Sequence, residues 1–142
     1  MVLDTQASLF TVLYDLLTAD ATLKSEMGGT VRLYPVWAEP DAPFPYLVHR
    51  LDIRDDEPFP MQIGTYIIDI WSYSPSASEA LSIRKRVIEL LDLQNISTDE
   101  VSNFRVGKQT DGFIPESTQN IWHYTIQFGA RFYRAAEVAA II

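Results

Sequence analysis

The sequence predicts an α+β fold: an antiparallel β-sheet with two main α-helices packed on one face. Apolar residues recur at helical spacing near the N-terminus and again after residue 77, whereas residues 65–73 and 121–133 alternate with period two. The order is helix, strands, helix, strands, and such segregated runs bury their apolar faces by laying helices on one side of a sheet. No repeat, low-complexity tract or linker divides the chain. Residues 1–134 are therefore expected to form one domain, followed by an apolar C-terminal extension, residues 135–142.

From Thr5 to Thr18, Leu9, Leu13, Leu16 and Leu17 form a helical stripe that Phe10 and Val12 widen, with Asp4 or Thr5 able to cap its start. A short helical turn over residues 20–27 begins at Asp20 as N-cap and stops at Gly28-Gly29, because glycine accepts positive φ without strain. Residues 31–34 suggest a short strand ended by Pro35. The three prolines of Pro40-Asp-Ala-Pro-Phe-Pro45 exclude a helix interior or a central strand. Extended structure resumes over residues 46–54, and Asp55-Asp-Glu-Pro-Phe-Pro60 reads as a loop at the tip of a long hairpin.

In the next strand Tyr66, Ile68 and Ile70 share one face, and Thr65, Ile67, Asp69, Trp71 and Tyr73 the other. Ser74-Pro-Ser-Ala-Ser-Glu79 carries a helix-start signal, a capping box of Ser76 with Glu79. The helix it opens, over residues 77–91, is expected to bury Ala80, Leu81, Val87, Ile88 and Leu91 and to leave Arg84, Lys85 and Arg86 mostly outside. Residues 95–103 read as a polar connection, residues 104–110 as a strand, and Asp111-Gly112 as a turn. In the last strand Trp122, Tyr124, Ile126, Phe128, Ala130 and Phe132 face one way, the pattern of a strand with one packed face. The apolar tail of residues 135–142 docks on its own domain or on a neighbouring copy; the sequence leaves both open.

Composition excludes several classes of function. The chain lacks cysteine, which removes disulfides, thiolate nucleophiles and thiolate metal sites together. No apolar run approaches the roughly 20 residues that span a bilayer, and Met1-Val2-Leu3-Asp4 has no signal-peptide pattern, so synthesis in the cytoplasm is expected. The net charge is −8, with ten acids and four bases in residues 1–60 and nine acids and seven bases in residues 61–142. That balance opposes tight sequence-independent binding of nucleic acid.

No chemistry-bearing constellation emerges. His49 and His123 fall in expected strands without the spacing of a helical zinc motif, and read as half-exposed strand histidines. No serine occupies a G-x-S-x-G elbow. The cluster Asp52, Asp55, Asp56 and Glu57 does not match a calcium loop and reads as a solvated hairpin tip. Capping accounts for Glu79 without an acid–base partnership with Asp69, and Arg84-Lys85-Arg86 reads as an exposed helix face. The aromatic row of the last strand reads as sheet core rather than a base-stacking platform. No catalytic, cofactor-binding or metal-binding residue is assigned, and no cofactor is expected.

The chain as a whole resembles the tail-completion (tail-terminator) family of long-tailed bacteriophages and gene transfer agents. The resemblance covers about residues 8–134 and rests on the order of several elements. These are Leu17-Thr-Ala-Asp-Ala-Thr-Leu23, Leu33-Tyr34-Pro35, Ala42-Pro-Phe-Pro-Tyr-Leu-Val48, Ile68-Asp-Ile-Trp-Ser72 with Ala80-Leu81, and Pro115-Glu116 before the final aromatic strand. It implies a non-enzymatic virion protein, assembled in the host cytoplasm, that forms a ring, commonly a hexamer, at the head-proximal end of the tail tube. Such a ring stops tube polymerisation and offers the head-joining surface. The implied partners are copies of itself, the tail-tube protein and a head-closure or neck protein. DNA passes through without specific binding, and an acidic channel wall would repel phosphate. No membrane is involved.

A ring subunit closes head-to-tail by burying one patch against a different one. The candidate contact residues are Pro40, Pro43, Phe44 and Pro45 in the proline segment, Asp55, Asp56, Glu57, Phe59 and Met61 in the hairpin loop, and Val138, Ile141 and Ile142 in the tail. The alternatives are a head-closure or neck connector protein, a small hydrolase or metal-binding enzyme, and a free-standing module that holds a peptide on its sheet.

Overall fold

The computed structural model describes residues 4–55, 61–98 and 101–134. Asp56, Glu57, Phe59, Val138, Ile141 and Ile142, and the apolar tail with them, lie outside the described residues. Three helices, α1 (Thr5–Thr18), α2 (Ala21–Glu26) and α3 (Ser78–Leu91), accompany six strands: β1 (Leu33–Pro35), β2 (Tyr46–Asp55), β3 (Met61–Tyr73), β4 (Gln94–Ile96), β5 (Val101–Ile114) and β6 (Ile121–Arg134). The strands form one sheet in the order β1-β2-β3-β6-β5-β4, curled into a half-barrel. The α+β expectation stands.

Period-two burial places the helices. Along β3, Gln62, Gly64, Tyr66, Ile68, Ile70 and Ser72 are buried, while their neighbours are only half covered. Leu47, His49 and Leu51 of β2, Tyr124, Ile126, Phe128 and Phe132 of β6, and Phe104 and Val106 of β5 join that buried face. Against it pack Leu9, Leu13 and Leu17 of α1, Leu23 of α2, and Ala80, Ile83, Val87 and Leu91 of α3. The Asp4 carboxylate accepts from the Ala7 amide at 2.9 Å, and that of Asp20 accepts from Leu23 at 2.8 Å, so both helix starts are capped by residues the sequence marked. Gly28 and Gly29 end α2 at φ 83° and 111°.

The structure corrects five expectations. First, the sheet is mixed: β1 runs parallel to β2, pairing Leu33 with Leu47 and Pro35 with His49. Parallel neighbours need a crossover, and residues 36–45, which hold the three prolines, supply it. Second, the expected turn at Asp111-Gly112 is mid-strand. β5 continues to Ile114, paired with His123, after a bulge between Lys108 and Thr110. A turn would have exposed the Asp111 carboxylate; in the strand it accepts from Arg84, Lys108 and Tyr124 instead. Part of the polar connection expected before it is β4.

Third, the capping box does not form. Ser76 accepts from the Ser78 amide at 3.1 Å, and Glu79 turns back to accept from the Ser72 hydroxyl of β3 at 2.6 Å, because that hydroxyl is buried and needs a partner. Fourth, the stripe of α3 is rotated: Ile83 is in the core and Leu81 is exposed. Arg84 and Arg86 are not a loose charged face, since each is committed to another element. Arg86 forks onto Asp20 through two bonds of 2.7 and 2.8 Å, tying α3 to the cap of α2. The Arg86 guanidinium, against opposing burial and with help from the Leu23 amide, holds the Asp20 carboxyl down to about 2. Fifth, both histidines are buried, His49 at 1% exposure and His123 at 9%. His49 is on the helix face, where Phe10 stacks on it at 4.1 Å, and Trp71 covers His123 on the other.

Candidate interaction surfaces

The face of the sheet away from the helices carries an aromatic ridge at the end where β2 begins and β3 finishes. Tyr46, Trp71, His123 and Ile114 are register partners across β2, β3, β6 and β5, so pleating points them to one side. Trp71 stacks on His123 with centroids 3.8 Å apart and lies parallel to Tyr46 at 6.2 Å. Phe44 leans on Tyr46 at 5.2 Å and on Tyr73 at 6.0 Å, and Tyr34 meets Tyr46 edge-on at 6.0 Å. Tyr73 of the ridge is 58% exposed, and Trp37, just after β1, is 82% exposed. Val36, next to Trp37, has φ 63°, which is costly for a β-branched residue.

His123 joins the ridge to acids. Its Nδ1 is 2.9 Å from Glu116 Oε1, and its Nε2 is 3.3 Å from Asp69 Oδ1, an ion-pair distance without hydrogen-bond alignment. Burial opposes a charge on this ring, but Asp69 and Glu116 outweigh it and raise its pKa. When protonated, the ring is a cation lying against the indole face, a favourable arrangement. Asp69 responds oppositely: burial would raise it, but His123 and Thr125 hold it down.

The proline segment is anchored by one residue the sequence did not single out. Arg32 donates through Nε to the carbonyls of Pro43 (3.0 Å) and Pro45 (3.2 Å), and through Nη2 to that of Phe44 (3.1 Å). The Phe44–Pro45 peptide is cis. Replacing Arg32 with alanine is expected to release these carbonyls and lower the thermal midpoint by about 3 °C, the equivalent of about 1 kcal/mol. Hydrogen exchange over residues 36–45 is the check. Unchanged protection there would mean that the guanidinium does not hold the segment.

Of the expected contact residues, Pro40, Pro43 and Phe44 are exposed, and Phe44 belongs to the ridge. Pro45 is buried, so its ring offers no surface. Met61 is half-buried and begins β3 at the opposite end of the hairpin, across from the end of β2 at Asp55. Tyr46, Trp71 and Tyr73 were missed as surface residues. Their signal was present, since Trp71 and Tyr73 occupy the face opposite Tyr66, Ile68 and Ile70, where aromatics have no core to fill. Among the described residues, no group of three or more metal-ligating side chains is arranged to hold an ion. No described helix is long and apolar enough to cross a membrane.

No protein-family model and no curated protein sequence matches the chain. Among solved structures, a chain of the virion of a native gene transfer agent particle is similar in fold. It has a TM-score of 0.77 and 17% sequence identity, and the match covers 92% of this chain and 98% of that one.

Proposed function

We propose that this chain is a structural virion protein, a tail-completion subunit that forms a homo-oligomeric ring at the head-proximal end of a tail tube. In that position it stops tube polymerisation and presents the surface to which the head joins. The observation that carries this reading is the fold likeness to a gene transfer agent virion chain, which spans nearly all of both chains rather than a shared fragment. The distribution of surface features also supports it. A head-to-tail ring needs two unlike patches. The aromatic ridge with Pro40, Pro43 and Phe44 lies at one end of the β2–β3 hairpin, and Asp55 and Met61 flank the connection at the other. Desolvated aromatic rings are the usual anchors of such contacts.

Light scattering on the purified protein, alone and mixed with its cognate tail-tube protein, tests the reading. A closed oligomer that appears by itself or on the tube, together with arrest of tube growth, is the expected result. A monomer that leaves tube growth unchanged would overturn it.

A further inference from the structure

We propose that His123 is a protonation-controlled latch: as an imidazolium it holds the β5–β6 connection, residues 115–120, on the open face of the sheet, and as a neutral ring it releases that connection. His123 is in register with Trp71 of β3 on one side and Ile114 of β5 on the other, so the ring stands among paired strands. Its two nitrogens face carboxylates from different elements. Nδ1 is 2.9 Å from Glu116 of the connection, and Nε2 is 3.3 Å from Asp69 of β3. An ionised carboxylate only accepts, and a neutral imidazole has one N–H and one lone pair. Only the protonated ring can serve both acids, because the neutral ring turns its lone pair on one of them.

Which contact yields follows from what else holds each acid. Asp69 is built into β3, between β2 and β6, and also receives a hydrogen bond from Thr125. Glu116 lies on an exposed connection. Among the described residues, its bond to His123 is the one side-chain hydrogen bond that residues 115–120 make. Beyond it, the Asn120 carbonyl accepts from the Ser74 amide at 2.9 Å, and the Thr118 carbonyl accepts from the Ile121 amide at 3.4 Å. The neutral ring therefore keeps Asp69 and gives up Glu116.

The ionisable groups described around the ring come from three elements. β3 contributes Asp69 and, beyond Trp71, the Tyr73 phenol, and the connection contributes Glu116. From β2 come Arg50, which acts on Asp69, and the Tyr46 phenol, which Glu116 influences. β5 presents Ile114 and β6 itself Thr125, neither of which titrates. Asp69 and Glu116 raise the pKa of the ring against its burial, so the latch is closed below 6.5 and opens as the pH rises through the raised value. Pro115, Glu116 and Gln119 of the connection wall a cavity of about 480 Å³, which Phe113 and Trp122 line from the strands. Release of Glu116 takes a wall off this cavity and uncovers the imidazole beside Trp71. The ridge end of the sheet thus presents one surface below the transition and another above it.

The chain has no cysteine, so Ser117→Cys carries a single nitroxide label, at an exposed position outside the cavity lining. Electron paramagnetic resonance from about pH 5.5 to about pH 9.5 reads the mobility of the label, and the ¹³C shift of His123 Cε1 reads its ionisation. A slow-motion spectrum at the acid end should give way to a mobile one, with the same midpoint, above 6.5, as the titration of the ring. Glu116→Gln is the sharper variant. Its amide donates to a neutral ring and its carbonyl accepts from an imidazolium, so the connection should stay immobile throughout while the His123 midpoint falls. His123→Gln should abolish the transition as well. A wild-type spectrum unchanged across the range, or a transition that survives in Glu116→Gln, would overturn the proposal. So would a label that is mobile at every pH in Glu116→Gln, the mark of a contact that only braces the loop. Tube arrest is a separate measurement, so the latch and the tail-completion reading can fail independently.

Discussion

Acidification from about pH 7.5 to about pH 4.5 is expected to cost this protein on the order of 2–3 kcal/mol through His49 alone. Burial on the helix face, beneath Phe10, lowers the pKa of this ring from 6.5 to about 4. Its Nδ1 is 2.5 Å from the Tyr66 hydroxyl, whose own pKa burial pushes well up, and its Nε2 is buried with no hydrogen-bond partner among the described residues. Between the two pKa values the unfolded chain binds a proton that the folded chain refuses. The stabilising contribution is therefore complete above 6.5 and disappears as the pH falls towards 4.

His123 has the opposite sign. Its raised pKa means that its pairing with Asp69 and Glu116 is fully present below 6.5 and is lost as the pH rises through the folded value. Urea unfolding of the wild type and of His49→Gln at both pH values separates the two. If the variant loses as much stability on acidification as the wild type, His49 is not the source.

Asp111→Ala is expected to lower stability by about 2–3 kcal/mol and the thermal midpoint by about 6–10 °C. This carboxylate accepts from Lys108 at 2.8 Å, from the Tyr124 hydroxyl, and from Arg84, whose Nη2 is 2.7 Å away. It thereby joins β5, β6 and α3 at one point. Lys108 and Tyr124, with Arg84 and against burial, hold its pKa far below the ordinary carboxylate value. Its contribution should thus persist at neutral pH and vanish only as the pH falls below 3.8. Water can reach the Arg84 side chain, 31% exposed, once its partner is gone, which keeps the loss below that of a fully buried pair. A double-mutant cycle of Asp111→Ala with Arg84→Ala should give a coupling of at least about 1 kcal/mol. Additive effects would show that the carboxylate acts through Lys108 and Tyr124 alone.

The features legible in the sequence are those that a few neighbouring residues settle among themselves. Leu9, Leu13 and Leu17 are three turns of one helix stripe. Asp20 caps the turn it begins, and the alternation through Tyr66, Ile68 and Ile70 marks a buried face whatever lies on either side. The misreadings share one cause, in that a local signal was outbid by a distant partner. Asp111-Gly112 is a turn signal until Arg84 and Tyr124 claim the aspartate, and Ser76 with Glu79 is a capping box until Ser72 claims the glutamate. The aromatic ridge was half legible. Phe44 and the proline segment stood out in the chain, but Trp71 and His123 became its neighbours only when β2, β3 and β6 aligned.

By itself the sequence determined the helices, most of the strands, which strand faces turn inward, and the lack of thiol chemistry, because helical spacing, period two and composition act within a turn or a strand. Only the tertiary structure decided that β1 runs parallel to β2, that both histidines are buried, and that His123 stands between Asp69 and Glu116. Register between strands far apart in the chain is set by packing of the whole core, and no short stretch of residues encodes it.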